Sequence, residues 1–149
     1  MEKILKSLLE GTNDEIAILA NSSAFIFEFI PDVNWVGFYI KKNNKLVLGP
    51  FQGRSACVYI NMGKGACGTA ASTKQIVVLD DVRNVENYIA CHEETRSEVV
   101  IPIIVNNEVY GVLDIDSTTV NRFDQNTITL LNDLSKIIEE SLNNSLYNL

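Results

Sequence analysis

Three cysteines and three acids are the side chains of this sequence whose types and placement suit chemistry: Cys57, Cys67 and Cys91, then Glu98, Asp114 and Asp116. A zinc knuckle needs thiols close enough along the chain for a short loop to fold round the ion. The gaps here are ten and twenty-four residues, so even with His92 counted as a fourth ligand no metal is expected. Two readings of the cysteines stay open. Free cysteines are commonly buried as small apolar side chains. Alternatively they do redox chemistry, because a thiolate is a nucleophile that can be oxidised and recovered. Their settings favour the second reading: Cys57 follows the stretch 52–56, Cys67 sits within the glycine-rich 63–68, and Cys91 lies in an irregular segment. Function concentrates in such loops and element ends.

The acids bracket two apolar runs. Glu98 begins one, and Asp114 and Asp116 close the other in Gly111-Val112-Leu113-Asp114-Ile115-Asp116. In an alternating strand Asp114 and Asp116 face the same way, and a hairpin can bring the start of one arm beside the end of the other, so Glu98 can approach both. Three converging carboxylates raise one another's pKa and offer a cation site or a shared proton for acid catalysis. The plainer alternative is that each is a solvated acid at a strand end. His92 is the only histidine and adjoins Cys91, but sequence neighbours often point apart, which weakens it as a base for that thiol. The stretch 63–68 with Lys64 only superficially resembles a phosphate-cradling turn, since the P-loop spacing is absent.

These groups need elements to position them. Apolar residues at Ile4, Leu5, Leu8 and Leu9, then at Ile16, Leu19, Ala20, Phe25 and Ile26, recur at helical spacing, with a capping signal at 12–14. Two helices are predicted within residues 1–30. From Trp35 the period shifts: Trp35 to Ile40, a polar turn at 41–45 and Leu46 to Leu48 predict a hairpin. A third strand is expected at 57–60, a short helix at 66–73 and a buried strand at 75–79. The stretch 80–96 reads as a long structured connection, more often a lid or binding loop than a spacer. Runs 98–105 and 109–115, joined by Asn106-Asn107, predict a second hairpin. Asp124 caps a helix over 124–146 whose apolar face is Ile128, Leu131, Leu134, Ile137, Ile138 and Leu142. Consecutive hairpins exclude a doubly wound parallel sheet and favour an α+β layout, a central antiparallel sheet with helices on its faces.

With 149 residues and 46% hydrophobic content, one domain over 1–149 is expected, and no repeat, linker or low-complexity tract divides it. Nineteen acids against twelve bases give a net charge of −7, which repels a phosphate backbone and argues against a nucleic-acid partner. No run approaches the ~20 apolar residues that cross a bilayer. Residues 1–10 interleave Lys3, Lys6 and Glu10 with their apolar positions, unlike a signal peptide, so no membrane partner and a cytoplasmic location are expected. A reducing cytosol would not preserve an ordinary structural disulfide, which again points the cysteines toward redox work.

Six blocks, in order, match one family. Trp35-Val36-Gly37-Phe38-Tyr39, Leu48-Gly49-Pro50-Phe51-Gln52-Gly53, Gly63-Lys64-Gly65-Ala66-Cys67-Gly68-Thr69-Ala70, Ile89-Ala90-Cys91, Ser97-Glu98-Val99-Val100-Ile101-Pro102 and Gly111-Val112-Leu113-Asp114-Ile115-Asp116-Ser117 together resemble the free methionine-(R)-sulfoxide reductases, which are GAF-domain enzymes. The likeness runs from about Trp35 onward, while the N-terminal helices match in pattern only. It implies a GAF-like fold and reduction of the R epimer of free methionine sulfoxide, with no cofactor and with thioredoxin as external reductant. It also implies Cys91 as nucleophile, Cys57 as its main resolving partner and Cys67 as an additional thiol. Glu98, Asp114 and Asp116 match the family's acidic pocket, and Trp35 the aromatic that packs on the substrate's methyl end. The likeness is compatible with a homodimer. Two positions depart from the pattern: His92 stands where an acid commonly follows the nucleophile, and Ala66 where Val is more usual.

The implied chemistry is physically coherent. A sulfoxide sulfur becomes electrophilic when its oxygen is hydrogen-bonded or protonated, so a site needs a thiolate and an acid; Cys91 and the pair Glu98/Asp116 supply both types. Attack leaves a sulfenic acid on Cys91, which Cys57 condenses to a disulfide that thioredoxin reduces by exchange. The substrate ammonium would meet Asp114, Asp116 or Glu98, and its carboxylate the backbone N–H groups near Tyr88, Ala90 and Cys91. The alternatives are a non-catalytic GAF module sensing a small ligand, which usually accompanies an output domain, and a thiol redox sensor.

Overall fold

Two asparagine turns frame the sheet. In a computed structural model, which describes residues 1–147, strand β1 (Trp35–Lys42) turns back into β2 (Lys45–Gln52) with Asn43 at φ 59°. Strand β5 (Ser97–Val105) turns into β6 (Glu108–Ser117) through Asn106 and Asn107 at φ 53° and 63°. Two-residue hairpins need such left-handed residues, and asparagine tolerates that region better than other side chains with a Cβ.

The two hairpins join through β1 and β6, and short strands β3 (Tyr59–Asn61) and β4 (Val77–Leu79) complete one antiparallel sheet of order β3-β2-β1-β6-β5-β4. Helices α2 (Glu15–Phe29) and α4 (Gln125–Tyr147) cover one face with α1 (Glu2–Leu9) packed against both, and α3 (Gly65–Thr73) covers part of the other. This is the expected α+β layout, with helices on both faces. Strand alternation divides the side chains accordingly. Val36, Phe38, Val99, Ile101, Leu113 and Ile115 enter the core under α1, α2 and α4, while Trp35, Tyr39, Val100 and Val112 pack on the α3 side.

Some local expectations shift. Ile4, Leu8 and Ile16 are exposed, while Leu5, Leu9, Leu19, Phe25 and Ile26 are buried as expected and Ile18 joins them. The third strand begins at Tyr59 rather than at position 57, because the Cys57 carbonyl is taken by Tyr39 and hydrogen bonding to β2 starts at Val58 O, which accepts from Leu48 N. The capping residues act as expected: Asp14 accepts from Ala17 N at 3.0 Å and Asp124 from Thr127 N at 2.9 Å. Among the described residues no helix is long and apolar enough to cross a membrane.

One irregularity decides what faces the α3 side. Near the turn, Val105 pairs with Glu108 and Ile104 with Val109, but Ile103 pairs with Gly111, so Tyr110 is an extra residue in β6. That bulge shifts every later pair by one and sets Glu98 opposite Asp116. Without it Glu98 would lie opposite Ile115 and share the face of the apolar core, because a one-residue slip exchanges the two faces of a strand.

Candidate active site

Three adjacent strands place the acids. Asp116 on β6 lies opposite Trp35 of β1 on one side and Glu98 of β5 on the other, and Asp114 lies between Gly37 and Val100. Gly37 leaves space for the neighbouring indole: a Cβ there would come within 2.6 Å of the Trp35 ring and would also meet the Phe51 Cβ. Trp35 is thus held flat, 17° from the Phe51 ring and 26° from that of Tyr39, and is 1% exposed.

All three carboxylates are buried. Burial raises the pKa of each well out of the ordinary carboxylate range or toward its top, and the mutual repulsion of the trio adds to this at Glu98 and Asp116. At Asp114 hydrogen bonding with Glu98 and Cys67 opposes the effect of burial. Oδ1 of Asp114 and Oδ1 of Asp116 have no hydrogen-bond partner, so the cluster presents open oxygens to whatever enters. Shifts in this direction favour the protonated forms, and a buried protonated carboxyl can donate. Cys67 lies beside it, also buried, and burial followed by the nearby carboxylates pushes its thiol up, so it remains a thiol and a weak nucleophile. Its sulfur and one oxygen each from Glu98 and Asp114 lie within 4.8 Å of one another, the one grouping among the described residues that could share an ion.

Two loops carry the other thiols over this floor. Cys57 in 53–58 and Cys91 in 80–96 are joined by a disulfide that spans 34 residues of sequence, and both are half-buried. The strand face beneath holds the first loop by its backbone: Trp35 Nε1 donates to Arg54 O at 2.9 Å and Tyr39 Oη donates to Cys57 O at 2.8 Å. Gly53 permits the turn with φ +128°, where a Cβ would meet the Trp35 ring and Asn34 O. The second loop is tied to the first by His92, whose Nε2 is 2.9 Å from Ser55 O, and by Arg54 with Glu94 at 3.3 Å. Its ends are pinned by Val82 N donating to Arg96 O and Arg96 N to Ser117 O.

Beneath the disulfide remains a cavity of about 30 Å³ lined by Trp35, Tyr39, Cys67, Tyr88, Cys91, His92, Glu98, Asp114 and Asp116 among others. Cys91, Cys67, Trp35, Tyr88 and the three acids, singled out from sequence, are therefore assembled round one space, with Cys57 bonded at its mouth. Ala90 is the exception: it is exposed and not part of the lining, while its neighbour Ile89 is. Sequence reasoning gave Tyr39 and His92 no place in this wall. The signal for Tyr39 was present, since it sits four residues from Trp35 in one strand and so shares its face.

The architecture is that of a GAF domain, a curved antiparallel sheet with a small-molecule cavity under its loops. A GAF domain family profile matches residues 2–142. The chain is 45% identical to the free methionine-R-sulfoxide reductase of Escherichia coli over 83% of its own length and 74% of that protein's. It is 43% identical to the Saccharomyces cerevisiae protein of the same name over 94% of this chain and 86% of that one. Its fold superimposes on the free methionine-R-sulfoxide reductase from Neisseria meningitidis, solved in complex with its substrate, with a TM-score of 0.94 at 36% identity, covering 99% of this chain and 89% of that one. The chain belongs to the GAF domain family and, within it, to the free methionine-R-sulfoxide reductases.

Proposed function

We propose that this chain reduces free L-methionine-(R)-sulfoxide to methionine, with Cys91 as nucleophile and Cys57 as resolving thiol. The observation that carries the reading is the disulfide between Cys57 and Cys91, whose Cys91 half lines the cavity shared by Glu98, Asp114, Asp116 and Trp35. Oxygen transfer needs a proton donor on the oxygen side of the substrate and a thiolate on the sulfur side, and the cavity supplies both types of group. The Cys91 thiolate attacks the sulfoxide sulfur. Oxygen passes to Cys91 as a sulfenic acid with one proton from the acid cluster, and methionine is released. The Cys57 thiol then displaces hydroxide as water, forming the disulfide.

The flat indole of Trp35 suits the substrate's methyl end. The ammonium group suits the open oxygens of Asp114 and Asp116, and the carboxylate suits backbone N–H groups of the 88–91 stretch opposite. Burying both charges would exclude methionine within a polypeptide, whose amino and carboxyl groups are already in amide bonds. The half-exposed disulfide is within reach of an external dithiol, and thioredoxin is the proposed reductant. Oxidation of NADPH in the presence of thioredoxin, thioredoxin reductase and free methionine-R-sulfoxide tests the whole cycle. Absence of methionine formation, even in a single turnover of the reduced chain, would end this reading in favour of a sensory module.

A further inference from the structure

His92 lines the cavity with Cys91 and Asp116 but has no part in the chemistry above. The His92 side chain is 7% exposed, and its Nε2 lies against the Ser55 carbonyl oxygen at 2.9 Å. A carbonyl oxygen only accepts, so Nε2 carries the hydrogen. In the neutral ring this leaves Nδ1 with a bare lone pair, and Nδ1 faces Oδ2 of Asp116 at 3.9 Å. Two acceptors facing each other in a buried site repel; a single proton on either one makes the contact attractive. The geometry therefore places His92 and Asp116 where a proton on either makes the contact attractive, though at 3.9 Å it is an ion-pair approach and not a hydrogen bond. Catalytic contacts are often long in an unliganded site and tighten when it fills.

The placement of the ring gives that proton two directions of travel. His92 lines the cavity, and it also lines a surface groove with Arg54, Ser55, Cys91, Glu93 and Glu94. The charged groups round it are Asp116 and Asp114 on β6, Glu98 on β5, Glu94 in its own loop and Arg54 in the loop that carries Cys57. It is also next in the chain to Cys91.

We propose that His92 relays a proton to Asp116, which delivers it to the substrate's sulfoxide oxygen; the inference rests on the reductase reading above. In the first half-reaction the substrate sulfur gains two electrons and the Cys91 sulfur loses two. The S–O bond to the substrate breaks, and the oxygen leaves on Cys91 bearing one proton. Cys91 gives up one thiol proton to become the nucleophile, so protons balance once a carrier connects the thiol to the oxygen. His92 shares the lining of both the cavity and the surface groove with Cys91, and its Nδ1 meets the acid that serves the oxygen. In the second half-reaction Cys57 supplies the proton that makes water of the departing hydroxide.

The test is a single turnover of the fully reduced chain with free methionine-R-sulfoxide, methionine being quantified across a range of pH in the wild type, His92→Gln and His92→Glu. Gln preserves an amide donor for the Ser55 carbonyl but carries no ionisable proton, whereas Glu carries one. His92→Gln is expected to lower the first-turnover rate by about tenfold or more and to move the alkaline fall in rate by about one pH unit. His92→Glu is expected to recover most of the rate with its own displaced profile. A Gln variant whose rate and pH profile coincide with the wild type's overturns the relay, as do equal, pH-independent losses in both variants, which would mark His92 as a structural tie. If the wild type itself forms no methionine, the reductase reading falls and the relay with it; if it does and Gln changes nothing, only the relay falls.

Discussion

Tyr39 Oη donates to the carbonyl oxygen of Cys57 at 2.8 Å, so a buried side chain of the sheet fixes the backbone of the loop that carries the second sulfur. Tyr39→Phe removes this one bond, at a cost of about 1 kcal/mol in stability. Its larger effect falls on the step after oxygen transfer. Trapping with a sulfenic-acid reagent during a single turnover should reveal a longer-lived Cys91 sulfenic acid in the variant; trapping identical to the wild type's would show that the bond does not orient Cys57.

Replacement of the thiols separates the two half-reactions. Cys91→Ser should form no methionine at all, while Cys57→Ser should still yield about one methionine per chain and then fail to recycle through thioredoxin. Cys67→Ser should change the first turnover by no more than about threefold, because a buried thiol with a raised pKa is a poor nucleophile. Quantifying methionine per chain with and without reductant checks all three, and equal losses in the first turnover for Cys91→Ser and Cys57→Ser would contradict the division.

The acid cluster gives the fold a pH dependence of definite sign. Burial raises the pKa of Glu98, Asp114 and Asp116 in the folded chain, so folding favours their protonated forms. Their contribution is intact below the unfolded carboxylate range of about 4 and is lost as pH rises through the raised folded values. Asp116→Asn removes part of that loss. Its Tm advantage over the wild type should therefore grow between about pH 5 and pH 8, with catalysis impaired throughout. Thermal melts at the two pH values decide it, and an advantage that shrinks toward pH 8 would reverse the assigned sign.

Gly37→Ala should displace Trp35, since the new Cβ would meet its ring and the Phe51 Cβ. Overpacking of this kind costs about 1–3 kcal/mol. With the indole tilted, KM for the sulfoxide should rise more than kcat falls. Near-UV circular dichroism of the single tryptophan and steady-state kinetics check the two halves of the expectation.

Part of this site is legible in the sequence because Trp35, Asp114 and Asp116 belong to strands with a strong local signal. The period-2 run through Asp114 and Asp116 fixes their common face, and Asn106-Asn107 fixes a turn. What the pattern does not carry is the bulge at Tyr110 that turns Glu98 toward those acids, because bulges depend on what each strand meets across the sheet. Gly111 hints at it: a Cβ there would strike the Tyr39 carbonyl oxygen, a constraint set by β1 and invisible in β6 alone. The approach of 53–58 to 80–96 is likewise a long-range event, resting on Trp35, Tyr39 and His92 reaching carbonyl oxygens of residues distant in sequence. Which side chains of 88–91 point inward is not carried by the pattern either, since an irregular segment has no period: Ile89 lines the cavity and Ala90 is exposed.

The cavity left beneath the closed Cys57–Cys91 bond, about 30 Å³, has room for about two water molecules. In the proposed cycle, closing that bond would then work against keeping the product and couple emptying of the chamber to oxidation of the protein. A high background of methionine would then compete only with the dithiol form, so the reduced fraction of the protein, rather than the methionine pool alone, would govern how strongly the end product holds the enzyme back.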